Sequence, residues 1–125
     1  MNRSTSLLKR TASACGFAFA LMAIPTTAGA ETISTAVVNT NGTLARGTDG
    51  AKSARTGLGL YRVIFNHAVT TCAFVATVGS ANSTKPQGGS AKVYSLSGNP
   101  KGVSVGTGAE GSPSDRGFHL VVVCP

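Results

Sequence analysis

Apolar residues in this chain recur at every second position, a spacing that suits strands and excludes amphipathic helices. Tyr61, Val63 and Phe65 fall on one side of an extended segment, with Arg62 and Ile64 on the other. Cys72, Phe74, Ala76 and Val78 repeat the pattern, and so do Phe118, Leu120, Val122 and Cys124. In that last run the alternate residues are His119, Val121 and Val123, so both faces are largely apolar and the strand belongs inside a sheet rather than at its edge. Further strands are expected over Thr32–Val38, Thr43–Arg46, Ala51–Thr56, Ala91–Leu96 and Val103–Thr107. Between them lie turn signals: Asn41-Gly42, Gly47–Gly50, Gly57-Leu58-Gly59, Asn66-His67 and Gly98–Gly102. Gly79–Gly89 and Gly106–Gly117, rich in glycine, serine and proline, read as exposed loops. About seven or eight short strands with no helical window predict an all-β fold, an antiparallel β-sandwich or small barrel.

The N-terminus follows a different pattern. Arg3, Lys9 and Arg10 precede an uncharged stretch from Thr11 to Ala30 with an apolar core over Ala14–Ile24. Pro25 ends the core, and Ala28-Gly29-Ala30 offers the small residues that a signal peptidase reads, so cleavage is expected between Ala30 and Glu31. A spanning helix needs about 20 apolar residues and this run is roughly half that, so the segment reads as a removable leader, with no transmembrane segment after cleavage. Cys15 opens the apolar run instead of closing it, and Ala12 stands three positions before it, which does not suit a lipid-anchor signal. The expected organisation is a signal peptide over 1–30 and one domain over 31–125, secreted or periplasmic. Such a domain is too short to divide into two cores.

Once Cys15 is gone, Cys72 and Cys124 remain. An even pair in a small exported domain predicts one disulfide. It closes a loop of about 50 residues, for which chain entropy gives on the order of 4 kcal/mol. Both cysteines lie in apolar strand patterns and far apart in sequence, unlike a C-x-x-C redox pair. Cys124 shares a face with Phe118 and Leu120, as Cys72 does with Phe74, and bridging those two faces would staple the core of an antiparallel sandwich.

The inventory for bond-making chemistry is thin. The chain has two histidines, His67 and His119, and four acids, Glu31, Asp49, Glu110 and Asp115. A metal centre needs three or four ligands at suitable spacing, and none is evident; no cofactor is expected. No G-x-S-x-G elbow is present, and the loop carboxylates read as turn formers or solvated charges, with Asp115 suited to a local ion pair with Arg116. The reading is therefore non-enzymatic, a binding or structural domain. A small hydrolase using His119 and Asp115 is the enzymatic alternative.

Charge suggests a surface. The chain carries 11 Lys and Arg against 4 Asp and Glu, a net charge of +7, which the leader's three basic residues reduce on removal. Arg46, Lys52, Arg55 and Arg62 cluster in sequence with Asp49 as the acid among them. If their strands are neighbours, they form a candidate anion-binding face for an envelope or extracellular polyanion; the plain reading is a solvated sheet face. No basic run and no interleaved aromatics favour nucleic acid. Asn41-Gly-Thr and Asn82-Ser-Thr match the glycosylation sequon, though Asn41 is better used in its turn.

Several runs together are distinctive: Gly-Thr-Leu-Ala-Arg-Gly at 42–47, Arg-Thr-Gly at 55–57, Tyr-Arg-Val-Ile-Phe-Asn at 61–66, Cys-Ala-Phe-Val-Ala-Thr at 72–77, Gly-Val-Ser-Val at 102–105, and Asp-Arg-Gly-Phe-His-Leu-Val-Val-Val-Cys at 115–124. In these the chain resembles a family of small, mostly uncharacterised exported bacterial β-rich domains, similar to C-terminal modules of phage tail-fibre-like and collagen-like proteins. The resemblance implies the β-rich fold and the cysteine pair, and it brings no catalytic residues.

Overall fold

The computed structural model describes residues 29–125 together with Gly16. Apart from Gly16, Gly29 and Ala30, the expected signal peptide lies outside the described residues. Nine strands follow in order: β1 Thr32–Val38, β2 Leu44–Gly47, β3 Lys52–Gly57, β4 Leu60–Ile64, β5 Ala73–Val78, β6 Ser90–Ser95, β7 Gly102–Ala109, β8 Ser112–Pro113 and β9 Phe118–Cys124. They form two antiparallel sheets, a four-stranded one ordered β2-β1-β9-β5 and a five-stranded one ordered β3-β4-β7-β6 with β8 against β7. The described residues contain no helix. The fold is the all-β sandwich that the period of two predicts.

The two inward faces make one core. Ala36 and Val38 of β1 and Phe118, Leu120 and Val122 of β9 meet Tyr61 and Val63 of β4 and Val103 and Val105 of β7, each at most 1% exposed. At the centre Tyr61 and Phe118 pack edge to face, their rings 5.1 Å apart at 62°, the geometry that brings a positive ring edge to a negative ring face. Beyond β4, Phe65 and Val69 close one end, where the Phe65 and Val69 amides donate to Lys101 O at 3.0 Å and Pro100 O at 2.8 Å.

Two turns gain their shape from residues that tolerate the left-handed region. Asp49 and Gly50, with φ 53° and 64°, carry the chain from the first sheet into the second. Glu110 and Gly111, with φ 51° and 81°, make a tight hairpin between β7 and β8. That hairpin corrects the expectation of an exposed loop over Gly106–Gly117: β7 runs on to Ala109, and Thr107, Gly117 and Phe118 are buried. Glycine has a low strand propensity, which concealed the strand. It is tolerated here because β7 is paired on both sides.

The expected bond between Cys72 and Cys124 is present, and it lies within one sheet. β5 pairs directly with β9, with Ala73 opposite Val123, so Cys72 falls opposite Cys124 with their Cα atoms 4.2 Å apart. The bond clasps the end of the edge strand β5 to β9 and encloses a loop that contains β6, β7 and β8. Strand β9 is central by pairing, as its two apolar faces suggest, yet among the described residues no layer covers its second face, and Val121 is 37% exposed.

The clasp closes a segment 52 residues long, so replacing both cysteines, Cys72→Ser with Cys124→Ser, should lower unfolding free energy by about 4 kcal/mol in the chain-entropy account. Denaturant unfolding of the two proteins under non-reducing conditions measures this.

Candidate functional site

The outward face of the five-stranded sheet is built in cross-strand rows. Residues paired across an antiparallel ladder share a face. Because Tyr61, Val63, Val103 and Val105 point inward, their alternates point out. One outward row reads Lys52, Ile64, Gly102; the next Ala54, Arg62, Ser104, Tyr94; the next Leu60, Gly106, Lys92. A last row holds Pro113, Gly108 and Ser90. Strand β7 thus contributes only glycine and serine to the outside, while strands on both sides contribute larger residues.

The consequence is a groove of about 310 Å³ floored by Gly106 and Gly108. Leu60 and Pro113 wall one side and Lys92 and Tyr94 the other, with Ser90 and Ser112 at one end. Tyr94 is 50% and Leu60 44% exposed, whereas Ser104, flanked by Arg62 and Tyr94, is only 8% exposed. Ser104 stands outside the groove, which opens over Gly106 and Gly108. The cations Lys52, Arg62 and Lys92 are all exposed on this face. None of its outward strand residues is an acid; Glu110 stands beyond them in the β7–β8 turn.

The four cations singled out from sequence do not form one face. Lys52 and Arg62 share the outer face of the five-stranded sheet. Arg46 pairs with Val37 on the outer face of the other sheet, and its Nη1 donates to Ala81 O at 3.3 Å, holding the 79–89 loop. Arg55 pairs with Tyr61 on the inward row and is drawn to Asp115. Alternation along β3 separates Lys52 from Arg55, because an odd number of steps between two strand residues puts them on opposite faces. Lys92 and Tyr94 escaped the sequence reading. Their signal is the run Gly102, Ser104, Gly106, Gly108, in which every second residue of an alternating strand is small.

Asp115 fastens the segment that crosses from β8 to β9. Both of its carboxylate oxygens accept from Arg55 Nε at 3.0 Å, Oδ1 accepts from the Gly59 amide at 2.7 Å, and the Tyr61 hydroxyl lies 3.5 Å away. The expected local pair with Arg116 is replaced by this long-range one. The Arg55 hydrogen bonds, reinforced by the Gly59 amide, hold the Asp115 carboxyl below its ordinary value of 3.8. Burial raises the Tyr61 hydroxyl above its ordinary value, helped by the Asp115 charge; that hydroxyl donates to Thr40 O at 2.7 Å. Gly59, at φ 64°, is required here, since a Cβ would fall on Thr107 O and Ser114 N.

The two histidines lie apart. His119 faces outward on β9, its Nε2 3.3 Å from Ser80 O, so neither hydrogen bond nor ion pair joins it to Asp115. His67 belongs to a polar cluster that sequence did not reveal. The buried Ser34 hydroxyl donates to Asp49 Oδ2 at 2.5 Å and lies 2.8 Å from His67 Nε2, while His67 Nδ1 faces Ala68 O at 3.0 Å. This trio has the residue types of a Ser-His-Asp triad but not its order: the carboxylate meets the serine instead of the far ring nitrogen, and Ser34 is wholly shielded from solvent. Among the described residues no three His, Cys, Asp or Glu side chains gather at metal-binding distance, and no helix is long and apolar enough to cross a membrane.

Compared with known proteins, the chain matches no family model, no curated protein and no solved structure.

The Asp115 contacts carry a pH signature. A carboxyl with a depressed folded-state pKa contributes stability that is fully present above its unfolded value and lost as pH falls through the folded one. Asp115→Asn should therefore be less stable than the wild type at pH 7, and the two curves should converge on acidification below about pH 4. Thermal melts between pH 2 and 7 test the convergence.

Proposed function

We propose that this protein is an exported, non-enzymatic binding domain that engages an anionic ligand of the cell envelope or its surroundings. It does so through the outer face of its five-stranded sheet. The observation that carries the reading is that Lys52, Arg62 and Lys92 share one outer face without an outward strand acid, beside a groove lined by Lys92 and the half-exposed Tyr94. Concave sites with a few convergent polar groups are the usual form of ligand sites, and clustered like charge raises the local concentration of a counter-charged partner.

Export rests on the N-terminal pattern, with its basic start, short apolar core and Ala28-Gly29-Ala30 site. The Cys72–Cys124 bond is compatible with the oxidising periplasm or exterior. The resemblance to exported β-rich modules agrees with a binding or structural role and contributes no ligand.

Binding to vesicles containing anionic lipid and to an acidic polysaccharide tests the reading. At about 1 kcal/mol for each cation near an anionic surface, removing Lys52, Arg62 and Lys92 together as alanines should weaken binding roughly 100-fold at low salt. A control with the same loss of charge elsewhere, Arg46→Ala, Lys85→Ala and Lys101→Ala, should change it far less. Equal losses in the two variants would mean that overall charge, and not this face, drives the association.

A further inference from the structure

Resting on the anion-binding reading, we infer that the groove receives a linear acidic glycan, lying along β7 with a sugar ring against Tyr94 and a carboxylate at Lys92. The shape suits a chain. Its floor is the two outward glycines of β7, Gly106 and Gly108, and it runs between Lys92 and Tyr94 on one side and Leu60 and Pro113 on the other. A ligand in this trough meets a floor without side chains and unlike walls.

The lining matches the mixed character of a sugar. A pyranose ring has an apolar C–H face and a rim of hydroxyls. The Tyr94 ring, half exposed on one wall, and Leu60 on the other supply flat and apolar contact, and tyrosine does so at little conformational cost. Ser90 and Ser112 at the open end are exposed hydroxyls able to donate and accept. Lys92 lies on the same strand face as Tyr94, two residues away, and Arg62 is Tyr94's neighbour across Ser104. A carboxylate on a ring against Tyr94 is thus met by the Lys92 ammonium, a point charge with three donors on the same wall.

Other polyanions and polymers suit the groove less well. A peptide that adds as a strand needs an unpaired sheet edge, but β7 is paired to β6 on one side and to β4 and β8 on the other. Single-stranded nucleic acid is held by successive stacking aromatics, and Tyr94 is the groove's one aromatic lining residue. A planar layer of lipid headgroups would touch the walls and leave the floor of Gly106 and Gly108 unused.

Gly106 allows a steric test that spares the fold. A Cβ built there would meet nothing closer than Gly59 O and Leu60 Cδ2 at 4.0 Å, and its φ lies outside the left-handed region, so Gly106→Val fills the floor of a strand that favours β-branched residues. Calorimetric titration would compare an oligomer of galacturonic acid, the matching neutral oligomer of galactose, inorganic polyphosphate and vesicles containing anionic lipid, with thermal melts confirming each variant's fold. The acidic oligomer should bind at least about tenfold more tightly than the neutral oligomer or polyphosphate. Tyr94→Ala and Gly106→Val should each weaken it about tenfold or more, and Gly106→Val, which alters the floor alone, should leave vesicle binding within about twofold. If vesicles bind but the acidic oligomer does not, or if Gly106→Val leaves oligomer binding intact, the glycan assignment is overturned and the anionic-face reading stands. Absence of binding to every anionic probe overturns both.

Discussion

Everything in this molecule depends on the two inward half-faces meeting in one apolar layer, with Tyr61 against Phe118 at its centre. A single antiparallel sheet of this size has no independent stability in water without a second layer to cover it. The pairing of β4 with β7 and of β9 with β1 and β5 aligns the inward rows, and each strand's alternation then decides which residues remain outside. The outward groove is the other half of the same alternation: Val103, Val105 and Thr107 fill the core, so Ser104, Gly106 and Gly108 form its floor.

The segment from β7 to β9 shows how backbone polarity is satisfied where the chain changes sheets. Thr107 accepts the Ser114 amide on its carbonyl, its hydroxyl donates to Ser114 O at 2.6 Å, and its own amide donates to Gly59 O at 2.7 Å. Asp115 then ties this segment to Arg55 and to the β3–β4 turn at Gly59. One wall of the groove, at Pro113, is thereby held by the same contacts that hold the end of the sandwich.

The two outer faces differ in chemistry. On the five-stranded sheet Lys92 and Tyr94 line a recess, with Arg62 and Lys52 on the rows beyond it. On the four-stranded sheet the outward rows read Ile33, Val123, Ala73 and Thr35, Val121, Val75, with Ile33 58% and Val75 64% exposed. The next row there, Arg46, Val37, His119 and Thr77, holds a cation of its own, so positive charge stands on both outer faces and is denser on the grooved one.

How much of this was legible in sequence follows from the range of each interaction. The period of two, the Asn-Gly and Asp-Gly turns and the limits of β1 and β9 are local properties of neighbouring residues, and they mark the all-β class and the strands with good fidelity. The cysteine count was enough to indicate a bond between Cys72 and Cys124, because no other pairing remained once Cys15 was set aside as part of an expected leader. Which strands became neighbours was decided only by tertiary packing: β5 lies beside β9, so the disulfide clasps one sheet and not two layers. The same packing parted Arg46 and Arg55 from Lys52 and Arg62, brought Lys92 and Tyr94 beside them, and joined Asp115 to Arg55 across 60 residues. Contacts at such separations are selected by the fit of whole faces in a shared core, a property that no window of sequence contains.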